Sequence, residues 1–464
     1  MGATPSAELA RRLDGVPWSR FHTTVAVALG VGWLLDAFEV TIVGNVLGVF
    51  KRLWHLSNTE AAWVLSIWFV GLMIGAYGFG FLADRFGRRR LFLLTLALYG
   101  GFTLLTAAAW SYGALLALRL LTAIGVGAEY SAINAAIAEF IPAAQRGRAN
   151  AAVMNFWSLG AIAAALVTLY VIHALPPQYG WRVAFGFGAL VALSTALMRR
   201  SIPESPRWLL QQGRIDEAEQ VVRGIEQGRT RWPRTASRHA AAPGVAPQRG
   251  VWAQTRELLR RHPGRVALGC ALDFSEAAGY YGLFAFLALF ILPAVHAPAG
   301  FAPFFYLIGN LGALAGGTVV VLLLDRAGRK STVPVFYLLA AGGVLLLAAS
   351  VRTGSWAWVL GAFTLANLLA TGGWISAYPT FSEIFPTDLR ATGIGISVAV
   401  GRIGAFAAPL LLTAVADRFG LVPALLLLAG FWLIGAAAML PWMRWGVEGR
   451  GRALEAMVAP QGVR

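Results

Sequence analysis

The sequence predicts an all-α membrane protein whose twelve spanning helices fall into two similar halves. Composition is the first observation: 58% of the 464 residues are hydrophobic and only 13% are charged, a balance that soluble domains do not sustain. The second is a series of apolar runs long enough to cross the roughly 30 Å hydrocarbon core of a bilayer. The third is a charged pattern that occurs once in each half of the chain.

The apolar runs are predicted to be helices because lipid offers a backbone amide no hydrogen-bond partner outside its own segment. They lie near residues 21–49, 62–82, 91–110, 112–141, 150–174, 181–198, 264–292, 301–324, 331–351, 355–381, 391–413 and 420–441. The expected organisation is therefore an N-terminal six-helix segment over 1–198, a linker over 199–263 and a C-terminal six-helix segment over 264–464.

The linker is expected to carry short surface helices. Residues Ile215 to Ile225 have helical spacing with acidic residues near the start, which is typical of a helix N-terminus. A second short helix over 251–262 is expected on the membrane surface, with Arg256, Arg260 and Arg261 directed towards lipid headgroups.

The net charge of +16 is explained by the loops rather than by nucleic-acid binding. If the helices alternate in direction, most arginine-rich loops fall on one side, which the positive-inside rule makes cytoplasmic. Lys51, Arg52, Asp417 and Arg418 depart from this pattern. Both termini are then cytoplasmic. The abundance of arginine and alanine, with lysine only at Lys51 and Lys330, is typical of a high-GC bacterial genome, so the expected location is a bacterial inner membrane. Cys270 is the only cysteine, which excludes an intrachain disulfide and a cysteine metal cluster. Nothing in the sequence indicates oligomerisation, so a monomer is expected.

Two charged patterns recur and indicate an internally duplicated transporter. The run Asp84 to Arg89 ends the second span, and its counterpart Asp325 to Lys330 ends the eighth; Glu139, Pro142 and Arg146 recur in spacing as Glu383, Pro386 and Arg390. Opposite charges here can form ion pairs that break when the cytoplasmic side opens. The predicted cytoplasmic gate consists of Asp84, Arg85, Arg88, Arg89, Glu139, Arg146, Asp325, Arg326, Arg329, Glu383 and Arg390. The alternative is that these residues only fix loop geometry, with Gly87 and Gly328 permitting tight turns.

These motifs resemble those of the major facilitator superfamily over nearly the whole chain. The residues that carry the resemblance are Gly80, Asp84, Arg85, Gly87, Arg88 and Arg89. The run Pro203 to Arg207 and the pattern from Arg119 to Gly127 are similar to the sugar-porter-like branch, although that branch usually has glycine where Ala123 stands. The resemblance implies two six-helix bundles around a central cavity.

Ionisable residues inside the spans are costly, so each is a candidate for function. Asp36 and Glu39 lie three residues apart in the first span and share a helix face, and Asp273 and Glu276 repeat that spacing in the seventh. Two such carboxyls cannot both stay ionised cheaply, so they are expected to exchange protons. Glu129 in the fourth span is a further proton-coupling candidate. The alternative is permanently paired structural acids. The acid pairs are offset by 237 residues and the loop motifs by 241, which leaves their equivalence open.

Arg402 in the eleventh span either pairs with a carboxylate of the protein or receives one from a substrate. Aromatic and amide side chains are expected to shape the cavity around it, although packing is the alternative for any single aromatic residue. The substrate-binding candidates are Arg402, Tyr280, Tyr281, Phe38, Asn155 and Trp374.

The expected cargo is a small organic anion. The glutamines that sugar porters usually carry in the fifth and seventh helices are missing, while Trp33 to Glu39 resembles the first helix of niacin, aromatic-acid and lactate-type proton symporters. The resemblance implies proton-coupled symport of an aromatic or short monocarboxylate by alternating access, driven by the proton gradient without a cofactor. A sugar or polyol symporter, a drug/proton antiporter and a non-transporting sensor are alternatives. An enzyme is not expected, because no metal-ligand cluster or nucleophile–base pair is visible.

Overall fold

The computed structural model is built almost entirely from α-helices. It describes residues 9, 12–13, 15–86, 88–142, 145–199, 203–211, 213–230, 232, 251–297, 300–385 and 389–446. The first half contains α1 (Arg20–Leu53), α2 (Asn58–Phe86), α3 (Arg88–Ala107), α4 (Tyr112–Phe140), α5 (Arg146–Ala174) and α6 (Pro177–Arg199). The linker contains α7 (Pro206–Gln211), α8 (Ile215–Glu226) and α9 (Val251–Arg261). The second half contains α10 (Pro263–Phe286), α11 (Ala302–Ala327), α12 (Arg329–Val351), α13 (Trp356–Ile384), α14 (Arg390–Phe419) and α15 (Leu421–Trp445).

Each predicted span falls on one of the helices α1–α6 and α10–α15, so the predicted fold class is confirmed. Within the described residues, nine helical segments are both long and apolar enough to cross a membrane, and α3 and α4 contribute shorter apolar segments. Beyond Phe286, α10 continues through a π-helical turn, Leu287–Ile291, and the segment Leu292–Ala294. The described part of the linker forms the two expected helices, α8 and α9, and the additional short helix α7.

Two local signals fix where helices begin and end. The α2 helix starts at Asn58, earlier than the expected residue 62, because Ser57 and Glu60 form a capping box: the Ser57 backbone N–H donates to Glu60 Oε2 at 2.8 Å, and the Glu60 N–H donates to Ser57 Oγ at 3.2 Å. The turn between α11 and α12 is made by Gly328, whose φ of 79° favours glycine. Gly87, expected to play the same part, lies outside the described residues.

The first compact unit comprises Met1–Ala37, Gly71–Gly160 and Phe185–Gln248. In it, α1 packs against α5 so closely that Gly160 lies on the Leu34 carbonyl oxygen. On the linker side, Arg12 donates from Nε and Nη2 to the two carboxylate oxygens of Glu226 at 2.9 and 2.8 Å. This bidentate pair ties the segment before α1 to helix α8.

The second compact unit comprises Phe38–Val70, Ala161–Ala184 and Arg249–Arg464. Its centre is the packing of α10 against α14 and α15, flanked by the packing of α13 on α11 and α12. Parts of α1 and α2 belong to this unit as well: Trp63 meets Phe406 with ring centroids 5.7 Å apart. The expected sequence division at residues 198 and 263 stays a prediction.

Candidate functional site

Two tyrosines make the same hydrogen bond beside the two acid pairs. The Tyr99 hydroxyl, on α3, donates to the Leu35 carbonyl oxygen at 3.0 Å, and the Tyr337 hydroxyl, on α12, donates to the Leu272 carbonyl oxygen at 3.0 Å. Each tyrosine stands on the third helix of its half, and each carbonyl belongs to the residue before the first acid. These matching hydrogen bonds indicate that the two acid pairs are structural equivalents, a question left open by their offset in the sequence.

The first acid pair lies on α1. Asp36 is 3% exposed and Glu39 is fully buried. One turn before Asp36, the Trp33 ring meets Trp157 of α5 edge to face, with centroids 5.9 Å apart. Asp36 is thus set in a segment of α1 that is closely packed by α3 and α5 in the first unit.

The second acid pair, on α10, faces a buried arginine. Asp273 is fully buried, Glu276 is 3% exposed and Arg402 is 6% exposed. The Asp273 carboxylate rests on Gly401 of α14, and the Arg402 charge acts electrostatically on both acids. Neither Asp273 carboxylate oxygen accepts a hydrogen bond from any group that the structure describes.

This arrangement has a simple charge balance. Taken by themselves, two ionised carboxylates and one guanidinium carry a net charge of minus one, which a single proton neutralises. Because an uncompensated charge away from water is costly, the cluster formed by Asp273, Glu276 and Arg402 is suited to bind a proton. Among the described residues, no three His, Cys, Asp or Glu side chains are grouped so as to hold a metal ion.

Ser275 fixes the rotation of α10 and so the direction of the two acids. Its hydroxyl donates to the Phe431 carbonyl oxygen of α15 at 2.6 Å and accepts from the Gly435 N–H at 3.1 Å. With Ser275 held against α15, residues 273 and 276 cannot turn independently of that helix. No pattern in the sequence singled out this serine.

Tyr378 on α13 is a polar residue of the site that sequence reasoning missed. It lies near Asp273, Glu276 and Arg402, and it is hydrogen-bonded to Trp374. The two rings of Trp374 and Tyr378 lie edge to face with centroids 6.1 Å apart. Their spacing of four residues, which places both on one helix face, was the available signal.

Aromatic rings form a connected cluster next to the charged one. The Tyr280 ring lies 5.9 Å from Trp374 and 5.0 Å from Phe284, both at tilted angles, and 5.4 Å from Tyr281. Tyr281 in turn meets Phe69 of α2 at 4.5 Å. The structure therefore brings together three of the expected residues, Tyr280, Tyr281 and Trp374, and adds Phe69 and Phe284.

For the remaining three expected substrate- and proton-binding residues, the structure gives at most the burial of the side chain. Phe38 is buried on α1 and Asn155 is partly buried on α5. The side chain of Glu129 lies outside the described part of the structure. The parts that these three residues play stay predictions.

The expected cytoplasmic gate also stays a prediction. Arg326 is exposed, Arg390 is half-buried, and Arg329 Nη1 donates to the Leu324 carbonyl oxygen at 3.3 Å. The other expected members have side chains outside the described part of the structure: Asp84, Arg85, Arg88, Arg89, Glu139, Arg146, Asp325 and Glu383.

A hydrogen-bonded chain occurs at the opposite helix ends, among residues that depart from the charge pattern of the loops. Lys51 Nζ donates to Asn58 Oδ1, and Asn58 Nδ2 donates to Asp417 Oδ1 at 2.9 Å. This chain joins α1 and α2 to the end of α14 within the second unit. These hydrogen bonds account for the presence of Lys51 and Asp417 at helix ends whose loops otherwise carry few charges.

Comparisons with known proteins agree with this architecture. A family model described as "Sugar (and other) transporter" matches residues 24–455. The niacin transporter NiaP of Acinetobacter baylyi is 31% identical over 463 residues, covering 97% of this chain and 99% of that protein. The putative niacin/nicotinamide transporter NiaP of Bacillus subtilis is 30% identical, covering 84% and 87%. Among solved structures, the partially occluded inward-open xylose transporter XylE from E. coli superposes with a TM-score of 0.73 at 18% identity, covering 94% of this chain and 100% of that one.

Proposed function

Because the chain belongs to the sugar (and other) transporter family of the major facilitator superfamily, we propose that it is a proton-coupled symporter of a small organic anion, an aromatic or short monocarboxylate. The observation that carries the proposal is the buried cluster of Asp273, Glu276 and Arg402. A guanidinium that already faces carboxylates is suited to accept the carboxylate of a substrate, with paired hydrogen bonds.

The proposed cycle begins with a proton binding to the second acid pair from outside. Protonation weakens the hold of Asp273 on Arg402, and the substrate carboxylate takes its place beside the guanidinium. The proton offsets the negative charge of the substrate, whose movement against the membrane potential would otherwise cost about 2.3 kcal/mol per 100 mV. Asp36, Glu39 and Glu129 are proposed to take part in proton transfer.

The aromatic cluster is proposed to select flat substrates. Tyr280 and Trp374 offer ring faces beside the charged cluster, and stacked or edge-on ring pairs are favoured over unmatched apolar contacts. Two relatives carry niacin in their names, and niacin is a planar pyridine carboxylate. A planar ring that carries one carboxylate matches a site in which one cation, Arg402, lies next to a group of aromatic rings.

Alternating access supplies the transport step in this proposal. The contacts that join the outer parts of α1 and α2 to the second half, such as Asn58 with Asp417, would hold one side shut. The predicted cytoplasmic gate would hold the other side shut in the opposite state. Both termini are proposed to be cytoplasmic, in a bacterial inner membrane, with the proton gradient as the only energy source and the monomer as the working unit.

Two alternatives keep specific support. The family name includes sugars, so a sugar or polyol symporter remains the second candidate. Buried acids also suit a cationic drug exchanged for protons. Either alternative would use Asp273 and Glu276 without needing Arg402 to contact the substrate.

Uptake into proteoliposomes with an imposed inward proton gradient separates these candidates. Nicotinate, benzoate and lactate would be compared with nicotinamide, which keeps the ring of nicotinate but lacks its charge, and with xylose and a lipophilic cation. Gradient-driven accumulation of the acids, with little uptake of nicotinamide, is expected. Accumulation of xylose or of the cation in place of the acids would reject the anion proposal.

A further inference from the structure

We propose that one face of α9, formed by Trp252, Arg256, Leu259 and Arg260, is a binding surface for anionic phospholipid headgroups. The last three residues follow Trp252 by four, seven and eight positions, and this spacing places all four on a single side of a helix. The surface is separate from the charged and aromatic clusters of the transport site and goes beyond the proposed function.

The opposite side of α9 is fixed to the protein. Leu258 is fully buried. Gln254 Oε1 accepts a hydrogen bond from the Thr392 hydroxyl, at the start of α14, at 2.6 Å. The helix is therefore held in one rotational position, and the remaining face is presented to its surroundings.

The presented face is both apolar and basic. Trp252 is 81% exposed and Leu259 is 49% exposed, although both are large hydrophobic residues. Arg256 and Arg260 are exposed beside them. Arg261, by contrast, is paired with Glu257 at 2.8 Å on the same helix, so the two cations of α9 left for a partner are Arg256 and Arg260.

The position of the helix identifies the partner as lipid. His262 alone separates α9 from Pro263, where the membrane-spanning segment Pro263–Ala294 begins. A helix attached in this way stands at the boundary between hydrocarbon and water. Tryptophan prefers that boundary, and an arginine fork matches the oxygens of a phosphate group.

Anionic rather than zwitterionic lipid is expected because two arginines share the face without an acidic residue among the four. Under the proposed orientation, the helix lies at the cytoplasmic leaflet, where anionic lipids attract basic segments. An indole and a leucine side chain would enter the headgroup layer while the two guanidinium groups bind phosphates.

The test uses the full-length protein in detergent micelles, with short-chain phosphatidylglycerol or phosphatidylcholine added at increasing concentration. Thermal unfolding reports binding, because a ligand that prefers the folded protein raises the melting temperature. Phosphatidylglycerol should stabilise the wild type, and Arg256→Gln/Arg260→Gln should weaken its apparent affinity by about fivefold for each arginine. The matched control is Arg223→Gln/Arg229→Gln, which removes two exposed linker arginines outside this face and should leave the affinity unchanged.

Two results would overturn the proposal. One is equal stabilisation by the two lipids. The other is an unchanged phosphatidylglycerol affinity in Arg256→Gln/Arg260→Gln.

A second measurement does not depend on that double variant folding. Brominated phosphatidylglycerol quenches nearby indoles, and the quantity measured is its quenching in excess of that by brominated phosphatidylcholine. Trp252→Phe should remove part of this excess. Trp358→Phe, at a tryptophan exposed on α13, is the control and should leave the excess unchanged. Identical quenching in Trp252→Phe and wild type would reject the surface. Stabilisation by inorganic phosphate or an acidic peptide that equals the effect of the lipid would reject a membrane partner.

Discussion

The carboxylate of Asp273 lies directly on Gly401, the residue before Arg402. A β-carbon at position 401 would overlap the carboxylate and would also stand 3.0 Å from the Asp273 backbone oxygen. This contact brings α10 and α14 close together at the charged cluster. It explains why a glycine precedes the buried arginine, and it links the acid on one helix to the guanidinium on the other.

Substituting Gly401 by alanine should therefore displace Asp273 within the charged cluster while leaving the helical structure of α14 intact. The methyl group pushes Asp273 away from its position beside Arg402, and overpacking of this kind typically costs about 1–3 kcal/mol. We expect uptake to fall by about tenfold or more, as measured by initial rates in proteoliposomes. Gly395→Ala is the matched control, because it lies on the same helix with no atom within 4 Å of the added carbon. Normal uptake by Gly401→Ala would contradict the role of this contact.

Asp273→Asn should separate proton coupling from substrate movement. The amide keeps the shape of the carboxyl but neither carries the charge nor exchanges the proton. We expect accumulation against a gradient to be lost while substrate exchange across the membrane, measured by counterflow, continues. Asp216→Asn, at an exposed acid of the linker, should keep both activities. Retention of gradient-driven accumulation in Asp273→Asn would remove this acid from the coupling mechanism.

Trp374→Leu should affect aromatic substrates more than aliphatic ones. The leucine removes the ring that faces Tyr280 but keeps an apolar side chain, so the expected loss in affinity for nicotinate or benzoate is about 1 kcal/mol, or roughly fivefold. Lactate should be affected less. Trp358→Leu is the control, since that ring is 71% exposed on the same helix. Competition assays measure both affinities, and equal losses for aromatic and aliphatic acids would argue against ring selection.

Asp417→Asn should weaken the hydrogen-bonded chain Lys51–Asn58–Asp417, at the helix ends opposite the predicted cytoplasmic gate. The variant weakens the bond from Asn58 by removing the charge of its acceptor, and bonds to charged groups contribute about 1.5–3 kcal/mol when buried and less when exposed. We expect the population with this side open to rise by a few fold. Arg418→Gln, at the next exposed residue, is the control.

Spin labels at residues 59 and 353, both exposed, would report that opening in a Cys270→Ser background. The distance distribution should gain a longer component in Asp417→Asn and should be unchanged in Arg418→Gln. If the distance distribution of Asp417→Asn is identical to that of the wild type, the hydrogen bonds among Lys51, Asn58 and Asp417 do not hold this side closed.

The pair formed by Arg12 and Glu226 should give a pH-dependent contribution to stability. The hydrogen bond from Arg12 holds the pKa of Glu226 below its ordinary value of 4.5, so the ionised acid is favoured in the folded protein. The contribution is fully present above about pH 4.5 and is lost as the pH falls through the lowered pKa. It is small, because exposed pairs contribute about 0.2–1 kcal/mol.

Melting temperatures of the wild type and of Glu226→Gln test this assignment. The wild type should be slightly more stable at every pH between 5.5 and 8, and the difference should shrink as the solution is made more acidic. Asp216→Asn, at an exposed acid on the same helix, is the control and should keep the pH dependence of the wild type. A difference between Glu226→Gln and wild type that grows towards acid pH would contradict the sign of the pKa shift.

The sequence predicted the fold well because length and hydropathy decide which segments span a membrane. The resemblance to the major facilitator superfamily is confirmed by the family match over residues 24–455, and the chain is accordingly a multi-pass membrane transporter rather than an enzyme. The start of α2 was expected too late in the sequence. It was placed at residue 62, where the apolar run begins, and the capping signal of Ser57 and Glu60 was not used.

The sequence identified candidate site residues only where an ionisable side chain lies within a membrane span, because burying such a group in lipid costs free energy. Asp273, Glu276 and Arg402 stood out because ionisable groups are rare in lipid. Phe69 and Tyr378 did not, since aromatic residues occur throughout the spans and only tertiary packing shows which of them meet. The equivalence of the two acid pairs likewise needed the hydrogen bonds of two tyrosines, which join residues more than sixty positions apart, 64 in the first half and 65 in the second.

Proton symport at the buried cluster is tested by recording proton and substrate movement together in proteoliposomes. With nicotinate outside and no imposed gradient, the wild type should take up protons with the substrate and make the external medium more alkaline. Arg402→Gln should abolish both signals, and Asp273→Asn should abolish the proton signal while exchange persists. Nicotinate uptake without proton movement in the wild type, or coupled uptake that survives both substitutions, would contradict coupling through Asp273 and Arg402.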